Sequence, residues 1–375
     1  MLLALFPPNI KWSLRQTLKL STRKTPNAIR ALSGFHPPVV FSMTRLVGVV
    51  APEKHPALDV IPEPAICGCE FVVGSTLEDF KGKEASLDSL VWIVPGSVDV
   101  LEALWEKSEG GVKWIHSFSA GVDGLGDFLR TKLAASPNVI VTNGRSAFSA
   151  SLAEYVMAAA LHFNKQVPRL QANKQAHKWD KFVMPVLAGK TMGFLGFGDI
   201  PKATAKIAKQ AFGMKVIALR RNTSKVGESE DELVDATYDQ STQKLEVFKE
   251  ADFVVCVLPG TPATQNFVST AEFAAMKPSA VFISIGRGVA VDEDALAKAL
   301  HAGSIAGACL DVFQEEPLPK THPLWDCPNL LMSAHNADLT DDYFELGWGV
   351  WKSNSAAHLA GNGQYATPID KALGY

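Results

Sequence analysis

Between residues 191 and 334 short apolar runs alternate with segments long enough for a helix, without any internal sequence repeat. Apolar runs at 191–195, 215–219, 252–258, 280–285, 305–310 and 329–334 read as strands, and helices are expected over 201–212 and 292–302. The runs are continuously apolar rather than alternating, so each strand must be covered on both faces. Helix-length connections make neighbouring strands parallel. Together these leave an α/β fold, a parallel sheet with helices on both faces. Upstream, Arg45–Val50, Leu90–Val94 and Lys113–Phe118 read as further buried strands. Ser149–His162, with Ala153, Val156, Met157, Ala160 and Leu161 at helical spacing, reads as a long buried helix. Tyr343, Leu346, Trp348 and Trp351 fall on another predicted helix near the end.

A chain of 375 residues with 47% hydrophobic residues can bury two domain-sized cores and does not belong with disordered chains. Its net charge of -3 argues against a nucleic-acid partner held by a basic surface. No uninterrupted apolar run reaches about 18 residues, so no spanning helix and no membrane partner are expected. The five cysteines contain no Cys-x-x-Cys pair, and Cys256 and Cys309 lie inside apolar runs. They read as buried thiols in a reducing compartment, with no metal site expected. From Met1 to Pro52 there is no Asp or Glu, while Lys11, Arg15, Lys19, Arg23, Lys24, Arg30 and Arg45 occur among scattered Ser and Thr. That composition fits a transit peptide to a mitochondrion or plastid. A plain disordered leader, or Met43 as the true initiator of a cytoplasmic protein, remains the alternative. Residues 1–44 are therefore set aside as a leader.

The first chemical marker is the loop Gly193-Phe-Leu-Gly196-Phe197-Gly198-Asp199-Ile200-Pro201, which follows a predicted strand and opens a predicted helix. Glycines there permit a tight turn and let a pyrophosphate approach the amides of a helix N-terminus. Pro201 replaces the usual small residue, and proline is tolerated in a first helical turn. The next strand runs into Arg220-Arg221-Asn222-Thr223-Ser224-Lys225, where an NAD site would carry an acid for the ribose hydroxyl. Two guanidiniums and no carboxylate suit a 2′-phosphate, so NADP (as NADPH) is the expected cofactor, with NAD possible. A merely solvated arginine loop is the competing explanation. The second marker is a set of strand ends, since ligands of open α/β sheets bind beyond the carboxyl ends of strands. Arg287 follows one strand, Asp311 with Glu315 and Glu316 another, and His335 a third.

These motifs in this order resemble the D-isomer-specific 2-hydroxyacid dehydrogenases. The matching segments are Ser119-Ala-Gly-Val-Asp123, the loop at 193–201, Ile283–Asp292, Leu310–Pro317 and Ser333-Ala-His335. The resemblance implies two Rossmann-like domains, with the cofactor domain inserted into a flavodoxin-like substrate domain. It places the substrate domain at 45–150 and 340–375 and the NAD(P)-binding domain at 151–339. It implies catalytic roles for Arg287, Glu316 and His335: Arg287 binds the substrate, His335 is the general acid/base and Glu316 its partner. The amides of Ala120 and Gly121 correspond to the substrate-carboxylate cradle. Gly196, Phe197, Gly198, Asp199, Ile200, Arg220, Arg221, Leu258, Pro259, Ile285 and Asp311 correspond to cofactor positions.

The implied activity is NADP-dependent reduction of a small 2-keto acid, glyoxylate- or hydroxypyruvate-like, to the D-2-hydroxy acid. A dinucleotide-sensing regulatory protein on the same fold, like the family's corepressors, is the alternative. Formate dehydrogenase relatives fit less well, because they lack the carboxylate at the Glu316 position. Family analogy suggests a homodimer, with Trp179–Val186 as a contact or, otherwise, a linker with one buried Trp. After His335 the chain reads Asn336-Ala337-Asp338, where the family has a small-residue turn. Asp338 is expected to cap the next helix near 340–342, with a direct influence on His335 as the other option.

Overall fold

The computed structural model describes residues 45–221 and 232–375; the basic leader and residues 222–231 of the arginine loop lie outside the described residues. Two compact units pack separately, one holding the described residues up to His55 with 62–112, the other holding 56–61 and everything from Lys113 on. In the first unit β1 (Arg45–Val50), α1 (Pro64–Cys67), β2 (Cys69–Gly74), β3 (Leu87–Trp92) and α2 (Val98–Lys107) follow in order. Both β2 and β3 run parallel to β1, which lies between them and buries its last four residues. The Ser97 hydroxyl accepts from the Val100 amide at 3.2 Å and caps α2.

The second unit opens with a parallel pair, β4 (Trp114–Ser117) and β5 (Ile140–Asn143), followed by α3 (Ser149–Asn164) and α4 (Val167–Gln175). Next come β6 (Thr191–Leu195), α5 (Asp199–Phe212), β7 (Lys215–Arg220), β8 (Ala236–Asp239), α6 (Lys244–Glu250) and β9 (Phe253–Cys256). The chain continues through α7 (Thr270–Ala275), β10 (Val281–Ser284), α8 (Glu293–His301), β11 (Gly307–Leu310), β12 (Leu330–Met332) and α9 (Tyr343–Ala360). Seven of these strands form one all-parallel sheet in the order β12-β11-β10-β9-β6-β7-β8. The winding reverses between β6 and β9, which opens a crevice at their carboxyl ends.

The continuous hydrophobicity of these strands has a direct structural counterpart. Met192, Phe194, Val216, Phe253, Val255, Val281 and Ile283 enter one core, against α3 and α5. Their immediate neighbours Leu195, Ile217, Val254, Cys256 and Phe282 enter a second core on the other face, under α6 to α8. Successive side chains point to opposite faces of a strand, so both sets must be apolar. Helix α5 begins two residues earlier than expected. Gly198 adopts an extended cap conformation, so Pro201 occupies a first-turn site that needs no N–H partner. Its other end is closed by Gly213 in the left-handed conformation. No described helix is long and apolar enough to cross a membrane.

Candidate active site

Arg287 leaves the end of β10 with its guanidinium held on two sides. Its Nε donates to Asp123 Oδ2 at 2.8 Å and its Nη1 to the Gly286 carbonyl at 2.9 Å. Gly121 lies so close that a Cβ there would overlap Nη2, and a Cβ on Gly260 would come within 2.6 Å of Asp123 Oδ1. The Ala120–Gly121 turn is itself tied to the end of β5, because Asn143 Nδ2 donates to the Ala120 carbonyl at 2.6 Å. Asp123 carried no assigned role at the sequence level. Its signal was a carboxylate two residues beyond amides expected to receive an anion, which makes sense once it braces the arginine.

His335 Nδ1 lies 2.7 Å from Glu316 Oε2, and Glu316 Oε1 accepts from the Phe313 amide at 2.9 Å. The carboxylate is thus fixed at both oxygens and orients the ring. The Glu316 bond raises the imidazole above its ordinary value; burial and the Arg287 guanidinium oppose this, and the charges of Glu316 and Asp311 add to it. Burial works against the charged form of Glu316, but the bonds from His335 and Phe313 outweigh it and hold the carboxyl low. Arg287 acts electrostatically on both partners, so the three groups share one site.

The turn bearing His335 is unusual, because His335 adopts a left-handed backbone with φ 51°. Asp311, buried at the end of β11, holds it there. Its carboxyl accepts from the amides of Asn336 at 3.0 Å and Ala337 at 3.2 Å and from Ser333 Oγ at 2.6 Å. Its carbonyl accepts from the His335 amide at 2.8 Å. Asp338 does not cap a helix. Helix α9 starts only at Tyr343 with Asp342 preceding it, so the Asp338 carboxyl is too far back to reach the first amides. Burial pushes it above its ordinary value, with Asp311 adding to this and the His335 and Arg287 cations opposing it.

The expected cofactor positions stand at or just beyond the carboxyl ends of β6, β7, β9, β10 and β11. Gly196 turns with φ 85° after β6, and a Cβ there would sit 3.5 Å from Leu258. Leu258 and Pro259 follow β9, Ile285 follows β10, and a Cβ on Gly286 would come within 2.5 Å of the Leu258 carbonyl. No side chain caps α5 at Gly198, and a Cβ there would meet nothing within 4 Å. Open space at a helix N-terminus fits the pyrophosphate of a dinucleotide. Asp199 brings a carboxylate to the same turn, and Arg145 Nε faces it at 3.3 Å. Arg220 lies over the Phe197 ring with 4.9 Å to the centroid, and Arg221 is exposed near the Tyr375 ring. The rest of the basic run, from Asn222, lies outside the described residues. Among the described residues no group of three or more His, Cys, Asp or Glu gathers to hold a metal. Cys256 and Cys309 are buried, with burial pushing their thiols up to about 11 and about 12.

Comparison with known proteins places the chain in a family. Residues 157–337 match the model of the D-isomer specific 2-hydroxyacid dehydrogenase NAD binding domain. A glyoxylate reductase of Thermococcus litoralis is 32% identical over 269 residues, covering 69% of this chain and 77% of that protein. A D-3-phosphoglycerate dehydrogenase of Methanocaldococcus jannaschii is 34% identical over 298 residues, 78% of this chain. A glyoxylate/hydroxypyruvate reductase B of Klebsiella pneumoniae is 36% identical over 210 residues, 54% of this chain. The chain spans 53% of the length of the former and 63% of the latter. Among solved structures, an NADPH-dependent glyoxylate/hydroxypyruvate reductase of Sinorhizobium meliloti, bound to NADP and sulfate, superposes with a TM-score of 0.70. It is 27% identical, and the match covers 88% of this chain and all of that one. The fold is therefore that of two parallel-sheet α/β domains, one of them dinucleotide-binding. The chain belongs to the D-isomer specific 2-hydroxyacid dehydrogenase family.

Proposed function

We propose that this chain is an NADP-dependent oxidoreductase that reduces a small 2-keto acid, of the glyoxylate or hydroxypyruvate type, to the D-2-hydroxy acid. The observation that carries the proposal is the His335–Glu316 pair at 2.7 Å beside an Arg287 braced by Asp123. A reduced nicotinamide held at the N-terminus of α5 and the ends of β6, β9 and β10 would supply the hydride when bound. The protein's task is then to hold the keto acid and to protonate the oxygen as negative charge grows on it. Arg287 binds the substrate carboxylate and keto oxygen with the donors that Asp123 and Gly286 leave over. The amides of Ala120 and Gly121 complete the carboxylate cradle. His335 donates the proton, and Glu316 keeps the ring charged and aimed before the transfer.

NADP is favoured over NAD because Arg220 ends β7, Arg221 follows it and no acid lies between Leu219 and Lys225. The solved relatives include complexes with NADP or NADPH and one with NAD+, so both dinucleotides occur on this fold. In this reading residues 151–339 bind the cofactor, 45–150 and 340–375 receive the substrate, and two copies pair as a homodimer.

The test is a panel of 2-keto acids with NADPH and NADH. The expected result is NADPH oxidation with kcat of order 1–10³ s⁻¹ on at least one small 2-keto acid. His335→Ala should lose at least about 100-fold in kcat while binding NADPH as tightly as the parent. No turnover on any acid, with NADPH still bound, would instead leave the dinucleotide-sensing regulator.

A further inference from the structure

A chain of hydrogen bonds runs from the middle of α3 to the turn that carries His335, and the proposed mechanism does not use it. Tyr155 Oη lies 2.5 Å from Ser333 Oγ, Ser333 Oγ donates to Asp311 Oδ1 at 2.6 Å, and Cys309 Sγ donates to Tyr155 Oη at 3.3 Å. The direction of every link follows from counting hydrogens. Ser333 has one hydroxyl hydrogen and gives it to Asp311, so the Tyr155 hydroxyl must donate to Ser333. Tyr155 in turn accepts the thiol hydrogen of Cys309. Burial pushes the phenol far above its ordinary range, so it keeps the proton that this role requires. A second tie joins the same two segments, because Ser151 Oγ donates to the Ala337 carbonyl at 2.6 Å. Helix α3 therefore grips the 333–337 turn on both sides of His335.

We propose that Tyr155 is a positioning residue for the proton donor: through Ser333 and Asp311 its hydroxyl fixes the left-handed turn on which His335 stands. Asp311 accepts from Ser333, from the amides of Asn336 and Ala337 and, through its carbonyl, from His335. Without the Tyr155 donor, Ser333 Oγ loses the partner on its lone pair, and its bond to Asp311 becomes weaker and less firmly directed. The turn then relaxes from a backbone conformation that a histidine rarely holds unaided. The same step weakens the electrostatic support of the imidazole. The charged and titratable groups facing His335 are Glu316, Arg287, Asp311 and Asp338; those facing Asp311 are His335, Tyr155, Cys309 and Asp338. Of these, only the Asp311 link depends on Tyr155.

This inference rests on His335 being the proton donor, so the experiment reads His335 directly as well as turnover. In full-length protein, Tyr155→Phe keeps the ring and its packing and deletes only the hydroxyl. Titration of the His335 imidazole by NMR, without cofactor or substrate, should show its midpoint moved down by about half a pH unit. Tyr155→Phe should also lower kcat about 10-fold with less than about a threefold change in the KM for the keto acid. Ser333→Ala should reproduce both effects, Ser333→Thr should restore them, and the Tyr155→Phe/Ser333→Ala pair should be no worse than Ser333→Ala alone. An unmoved His335 midpoint overturns the proposal, whether or not kcat falls. Multiplying losses in the double variant overturn it equally, since independent effects mean no chain. Failure of the parent protein to turn over any 2-keto acid would strike the enzymatic reading and leave the NMR comparison to decide this one.

Discussion

Glu316 and His335 shift each other in opposite directions, and that sets a pH window. The histidine is raised on folding, so its share of stability is full below about pH 6.5 and is lost as pH climbs through the raised value. The glutamate is lowered, so its share is present above about pH 4.3 and is lost as pH falls through the lowered value. The pair contributes most between those limits. Glu316→Gln should therefore lower the thermal midpoint at pH 6 more than at pH 9. It should also move the alkaline fall of the reduction rate to lower pH, with about a 10-fold loss of kcat near pH 8. A pH–rate profile of unchanged midpoint would show that the carboxylate does not tune the imidazole. Asp338 works the other way. Burial raises it, so its charge opposes folding above the raised value and costs nothing below about pH 3.9. Asp338→Asn should raise the melting temperature at pH 8 and lose that gain as pH approaches 4, which calorimetry at the two pH values would read.

At the scale of elements, the sequence was most legible where both faces of a strand are buried. β6, β7, β9, β10 and β11 were all anticipated within two residues, because most of their positions are buried on one face or the other and apolar. β8 was not anticipated. It is an edge strand with all four residues half-buried, and Ala236-Thr-Tyr-Asp239 carries no such run. The short α6 and α7 were missed for want of a full apolar stripe, although Ser269 and Glu272 form a capping box at the start of α7. That Arg287, Glu316 and His335 gather at one site was legible through the motifs. The bracing by Asp123 and Tyr155 was not, because those contacts join segments 164 and 178 residues apart. Helix α9 shows how burial alone reverses the effect of one substitution. A Cβ on Gly347 would overlap the Phe118 ring, itself buried and edge-on to Trp348, whereas a Cβ on Gly349 would meet nothing. Gly347→Ala should cost about 1–3 kcal/mol by overpacking. Gly349→Ala should stabilise by about 0.5–1 kcal/mol, since alanine gives up less backbone freedom in a helix. Denaturant unfolding of the two variants should move their midpoints in opposite directions.

For the molecule as a whole, the segment from 179 to 186 bears on the proposed homodimer. A linker with one buried Trp is not what folds: Trp179 is 93% exposed, Val183 84% and Val186 63%. The backbone beneath them is nonetheless tied down. Asn164 Nδ2 and Lys165 Nζ donate to the Pro185 carbonyl at 2.8 and 2.7 Å, and Gln166 Nε2 donates to the Val183 carbonyl at 3.2 Å. Arg169 pairs with Asp180 at 2.8 Å and lies 4.0 Å from the Phe182 ring centroid. An ordered backbone that turns a tryptophan and two valines outward presents an apolar surface of the kind protein interfaces use, and aromatic residues are enriched at such surfaces. The proposed occupant is the same surface of a second copy, where a two-fold axis would bring one protomer's apolar stretch onto its partner's. Light scattering across a range of concentrations should then give twice the chain mass. Trp179→Asp combined with Val183→Asp should halve that mass by placing unpaired charges at the contact, with the fold retained by circular dichroism. A parent protein that scatters as a single chain at every concentration would refute the dimer and leave the exposed tryptophan to a different partner.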